Sequence, residues 1–239
     1  LGRHRRAQAG GAMNGLNNVF AFPFEELPFV FIVLALAFAV HEFAHAYAAY
    51  KFGDDTAYRD GRVTLNPRKH IDIAGMILFL LFGFGWAKPV PVHRGKLREP
   101  RRLTGAVVSF VGPLSNLILA FVGVVALFAL GSSGLLSNAS SGVVDALGVL
   151  FEHWILINVF LFIFNLLPLP PLDGYRIVQD LVSPGLRAKM TQYEQWGILI
   201  FLIIAFIPPL RRLVFGNLGV LQFEIVRWME SFVAPMFGQ

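Results

Sequence analysis

The sequence predicts an all-α polytopic membrane protein, a transmembrane helix bundle carrying a small β-hairpin and a re-entrant segment after its first span. Three observations predict it. Of the 239 residues, 56% are hydrophobic and only 15% are charged, against about 25% charged in an average soluble domain. Five runs of roughly 13 to 27 residues are almost free of charge, several of them near the ~20 needed to cross a bilayer. The 20 Lys and Arg outnumber the 15 Asp and Glu and sit in short loops between these runs, where membrane topology accounts for them better than nucleic acid does. The absence of cysteine excludes disulfides, thiolate ligands and a Cys nucleophile, so catalysis falls to His, Asp, Glu, Ser, Tyr or Lys.

Each element follows in order. Residues 1–27 form a polar segment with Arg3, Arg5 and Arg6 and no apolar run behind them, which does not read as a cleaved signal peptide; Met13 is the expected native start. Leu27 to Tyr50 is a 24-residue span that as a helix covers ~36 Å. The polar stretch Ala57 to Leu65 holds two short strand-like arms around Asp60-Gly61, a pair suited to a tight hairpin turn. Ala74 to Trp86 is apolar but only 13 residues long, and basic loops flank it on both sides. Crossing would put positive loops on opposite faces, so a re-entrant segment is favoured, with a short tilted span from Ile71 as the alternative.

Thr104 to Leu130 is a clear span, and the loop Gly131 to Asp145 behind it carries no Lys or Arg, as an outer loop should. Trp154 to Leu169 returns inward and ends in a proline-dense stretch. Trp196 to Leu210 is a further apolar run stopped by Pro208-Pro209. From Leu213 onward Phe, Leu and Trp mix with Glu224, Arg227 and Glu230, a pattern fitting either an interfacial or a spanning helix. The organisation is therefore a polar segment 1–27, one membrane domain 28–212 and a C-terminal segment 213–239.

The chemistry concentrates in the first span. His41-Glu42-Phe43-Ala44-His45 is an HExxH pattern: two imidazoles one turn apart share a helix face, with a carboxylate about 100° round the axis. Such a pair can bind one tetrahedral zinc ion and leave Glu42 free to take a proton from a water at the metal. Chance spacing or a satisfied His pair is the bland alternative, but within an apolar span each ionisable group costs ~2.5 kcal/mol or more unless paired or ligated. Asp173 is the best third ligand. It follows Asn165-Leu-Leu-Pro168-Leu-Pro170-Pro171-Leu, where prolines cannot continue the helix and an unwound backbone needs protein or a water-filled cavity around it.

Together, His41-Glu-Phe-Ala-His45 and Asn165-x-x-Pro168-x-x-x-x-Asp173-Gly174 resemble the site-2 protease family of intramembrane zinc metalloproteases. Gly61-Arg-Val-Thr-Leu-Asn-Pro67, Gly85-Trp-Ala-Lys-Pro-Val-Pro-Val92 and Gly112-Pro-Leu-Ser-Asn116 are similar to its short branch lacking a PDZ domain, over residues 28–182. The resemblance implies one Zn2+ per chain held by His41, His45 and Asp173, Glu42 as the base, and Asn165 as a polar group steadying substrate or oxyanion. It implies cleavage of transmembrane protein or peptide substrates, a multi-pass position in the lipid bilayer of the cell membrane, and a site opening toward the cytoplasmic side; no nucleic acid partner is expected. It also suggests that Asn116 lies near the metal helix. An extended substrate would pair with the hairpin at Arg59 to Leu65 or with the Pro89 to Val92 strand.

Two other readings use the same residues. A metal-binding protein or transporter would need His41, His45 and Asp173 but not a non-ligating base; a silent homologue would act as a partner. Gly131-Ser-Ser-Gly134 reads as an outer loop, His70 and His93 as interfacial histidines, and Arg94 to Arg102 as a loop facing anionic lipid.

Overall fold

The computed structural model describes residues 20–238; Met13 as the start and most of the polar segment 1–27 lie outside the described residues. Helix α1 spans Leu27–Lys51 with Pro28 in its first turn, where the missing N–H costs nothing. Its buried positions include Val30, Val33, Leu34, Ala37, Phe38, His41, Glu42, His45, Ala46 and Ala49, the i, i+3, i+4 repeat of one helix face. The exposed face, with Phe31, Ile32 and Leu36, is as apolar as the buried one. That combination suits a helix whose outer solvent is hydrocarbon.

Among the described residues no strand is found, and the expected β-hairpin at 57–65 does not form. Thr56–Arg59 is one helical turn instead. Asp54 Oδ1 accepts from the Thr56 backbone N at 3.0 Å and from its Oγ1 at 2.5 Å, and Arg59 pairs with Asp55 one turn back. Gly61, at φ 63°, turns the chain so that Arg62 is buried and donates Nη2 to Lys88 O at 2.6 Å. The second arm of the expected hairpin thus finds its partner in a later segment.

That later segment follows helix α2, Ile73–Phe82, whose first turn is capped by Asp72 Oδ1 accepting from Gly75 N at 2.8 Å. Gly83 ends it in the left-handed region at φ 75°, where glycine carries no Cβ penalty. The chain then runs back along α2. Gly75 and Gly85 face each other so closely that a Cβ on Gly75 would overlap Trp86 O and one on Gly85 would overlap Gly75 O. Lys88 N donates to His70 O at 2.8 Å, so the excursion closes where it began.

Helix α3, Arg101–Ser132, and helix α4, Ser141–Asn165, pack on each other and on α1. The α4 helix begins before Trp154, where its sequence is still partly polar. With α1 and the turn before it, these are, among the described residues, the three single helices long and apolar enough to cross a membrane. After Asn165 the chain is irregular through Leu172, and helix α5, Asp173–Leu181, starts on the aspartate itself. Helices α6, Pro184–Phe206, α7, Pro208–Phe215, and α8, Leu218–Val233, follow, with a bend of 103° at the Pro208 break. The tail packs into the bundle: Met229 and Val233 of α8 lie in one core with Ala120, Val124, Ile155, Val159 and Ile163.

Candidate metal centre

The buried stripe of α1 carries His41, Glu42 and His45 inward, and the break after α4 carries Asp173 to them. His41 Nε2 lies 3.1 Å from Asp173 Oδ2, His45 Nε2 lies 3.3 Å from the same oxygen, and the two Nε2 atoms are 3.1 Å apart. These three donor atoms form a nearly equilateral triangle. Zinc bonds of ~2.0–2.1 Å in a tetrahedron give donor separations of about 3.3–3.4 Å, so the triangle has the size of one tetrahedral face.

Hydrogen bonds behind the rings orient them. His45 Nδ1 donates to Val108 O at 2.7 Å, and His41 Nδ1 donates to Asn116 Oδ1 at 2.7 Å. Each neutral ring therefore carries its proton on Nδ1 and presents a lone pair at Nε2. Two imidazole lone pairs and a carboxylate oxygen packed at 3.1–3.3 Å repel one another unless a proton or a metal cation lies among them, and the donor set suits zinc. Among the described residues His41, His45 and Asp173 are the group that can hold a metal ion. Gly112 of α3 gives the His45 ring its room, because a Cβ there would overlap Nε2.

Glu42 points beside the triangle, and its Oε2 accepts from Val90 N at 2.8 Å. Asn165 donates Nδ2 to Leu161 O at 2.9 Å. All five residues line a single cavity of about 830 Å³. Its lining includes apolar Phe38, Leu161, Phe164 and Phe201 as well as Arg94 and Arg176. The irregular stretch from Trp86 to Val92 borders it as well.

Several side chains stand where sequence reasoning did not put them. His70 is fully buried, not interfacial, and donates Nε2 to Thr64 O at 2.8 Å. His153 pairs with Glu26 at 2.8 Å. Arg94 and Arg102 face protein: Arg94 Nε donates to both oxygens of buried Asp180 at 2.8 and 2.9 Å, while Arg102 caps the end of α5 through the carbonyls of Asp180, Leu181 and Val182. Asn158 had drawn no attention in the sequence, although it is an amide inside an apolar run. It is 1% exposed and bonded to Asn116.

Residues 29–208 match peptidase family M50. The chain is 53% identical over 191 residues to the Bacillus subtilis protein named "Putative zinc metalloprotease YwhC", covering 79% of this chain and 84% of that one. It is 27% identical over 235 residues to "Putative zinc metalloprotease Rip2" of Mycolicibacterium smegmatis, covering 94% and 82%. To "Putative zinc metalloprotease MJ0611" of Methanocaldococcus jannaschii it is 30% identical over 164 residues, covering 67% and 76%. No solved structure matches significantly. The matched region contains the whole donor triangle, and the chain accordingly belongs to peptidase family M50, the site-2 protease family of zinc metalloproteases.

Proposed function

We propose that this protein hydrolyses peptide bonds within or next to transmembrane segments of membrane-anchored proteins, with His41, His45 and Asp173 holding the zinc. The observation that carries the reading is the placement of two of the three donors, His41 and His45, on the buried face of an apolar helix of spanning length, in a cavity lined by both apolar and polar side chains. Bound zinc supplies Lewis acidity, activating water and polarising the scissile carbonyl. Glu42 is not part of the triangle and is held by Val90 N. In this reading it takes the proton from the attacking water and returns it to the leaving amine. Asn165, which lines the same cavity, would offer a polar group for the substrate carbonyl or the developing oxyanion.

A helical substrate hides its carbonyls in its own hydrogen bonds, so the reacting stretch must be extended. The Trp86 to Val92 stretch borders the metal centre, and although Lys88 and the Val90 N–H are already bonded, its remaining main-chain groups would pair with such a strand. In this reading α2 and its return form a re-entrant loop, since α2 covers only ~15 Å and the excursion closes where Lys88 N meets His70 O. The basic loops share the cytoplasmic side, and the site opens there.

Glu42→Gln is the direct test. The purified variant is expected to retain one zinc per chain and to lose cleavage of a membrane-anchored substrate by at least ~100-fold, the scale of a lost general base. Cleavage within a few-fold of wild type would overturn the assignment of Glu42.

A further inference from the structure

The two histidines of the triangle are oriented by chemically different partners. His45 Nδ1 faces a backbone carbonyl, Val108 O, which can only accept and so leaves one possible tautomer. His41 Nδ1 faces the side-chain amide of Asn116, which can present either an oxygen or an NH2 group. If the NH2 group faced His41, Nδ1 would have to accept, the ring proton would move to Nε2, and the metal-facing lone pair would be lost. Something must fix which way Asn116 points.

The structure contains a device that does so. Asn116 Nδ2 donates to Asn158 Oδ1 at 3.0 Å, and Asn158 Nδ2 donates to Trp154 O at 2.8 Å. The run ends on a backbone carbonyl, an acceptor only, so every hydrogen bond in it has one permitted direction: the Asn158 amide is set by Trp154 O, the Asn116 amide by Asn158, and the His41 proton by Asn116. Ala37 O, 3.4 Å from Asn116 Nδ2, pulls the same way through a longer contact. Asn116 is 0% exposed and Asn158 1%, so no water replaces either partner. The run joins α4 to α3 and α3 to α1 within an apolar bundle, where a buried amide without a partner is costly.

We infer that Asn158 is a positioning residue for the metal centre: acting through Asn116, it holds His41 in the tautomer that offers Nε2 to zinc. This rests on His41 being a zinc ligand. It goes beyond helix packing, because an amide that only joined helices would carry no information about direction.

The test compares zinc affinity of the full-length chain in detergent, measured by competition with a chromogenic chelator, for wild type, Asn158→Leu and the double variant Asn158→Leu/Asn116→Asp. Leucine keeps the branched heavy-atom skeleton of asparagine while removing both hydrogen-bonding groups. With Asn116 freed to turn, affinity is expected to fall about tenfold, the lower end of the range for lost outer-shell partners of metal-bound histidines. A carboxylate has no NH2 end, so Asp at 116 accepts from His41 Nδ1 whichever way it turns, and the double variant is expected to recover most of the loss. A purely structural role for Asn158 would not be rescued in this way. Wild-type affinity in Asn158→Leu, or a loss that Asn116→Asp leaves in place, overturns the inference. Failure of wild type to bind zinc at all overturns the underlying ligand assignment instead.

Discussion

A single side chain already records how burial sets chemistry. His70 sits between the first turn of the polar connection and the returning segment after α2, with Nε2 donating to Thr64 O and no partner within the described residues for Nδ1. Burial pushes its pKa below the ordinary histidine value, and nearby Arg62 adds to the effect, against the Thr64 bond. The folded state thus keeps His70 neutral while the unfolded chain gains a proton near pH ~6.5. Stability from this site is present above that pH and is lost as the pH falls toward the depressed folded value. Thermal unfolding in detergent is expected to shift downward between about pH 7 and pH 5, and His70→Gln, which keeps a donor for Thr64 O, should flatten that slope; an equal slope in both proteins would contradict it. At this scale the sequence was most informative where spacing alone carries geometry. The four-residue interval of His41 and His45 guarantees a shared face, and the prolines before Asp173 announce an unwound chain. An amide in an apolar run announces only that some partner exists, so the Asn116 and Asn158 pairing emerged from helix packing.

The elements show where local signals lose to distant ones. Asp60-Gly61 is a good hairpin turn, yet capping by Asp54, the Asp55 to Arg59 pair and burial of Arg62 against Lys88 O outweigh two short strands that would have no third strand to pair with. Helix α5 illustrates the same dependence. It is only nine residues long, too short to hold itself, yet it must place Asp173 to within a fraction of an ångström. Its far end is fixed by buried Asp180, which accepts from Arg94 and pairs with Arg187, and by Arg102 on its last carbonyls. Asp180→Asn is expected to weaken that clamp by about 1.5–3 kcal/mol, the range for a lost charged hydrogen bond, reduced because both arginines are partly exposed. Both a lower melting temperature and a lower zinc affinity should follow, since the aspartate at the other end of α5 moves with it. Destabilisation with unchanged zinc affinity would show that Asp173 is held independently of its helix.

For the whole molecule, composition was sufficient to read the class, and three helices of spanning length bear it out. The placement of the segment from Leu213 was not readable, because mixed polar and apolar runs fit an interfacial helix as well as a spanning one; only the core shared with α3 and α4 places α8 inside the bundle. The proposed orientation can be checked on a chain that contains no cysteine. Asn138→Cys, in the exposed loop between α3 and α4, is expected to react with a membrane-impermeant maleimide in intact cells, and Lys69→Cys, also exposed, only after permeabilisation. The reverse pattern would invert the topology. In the proposed setting lipid encloses the bundle, yet the cavity beside the donor triangle measures about 830 Å³. At ~30 Å³ per molecule of liquid, that is room for on the order of two dozen waters. Such a protein carries its own reservoir of one reactant into a medium that excludes it. Under the proposed function, turnover is expected to be paced by how readily a peptide segment leaves its helix, and not by how often water arrives.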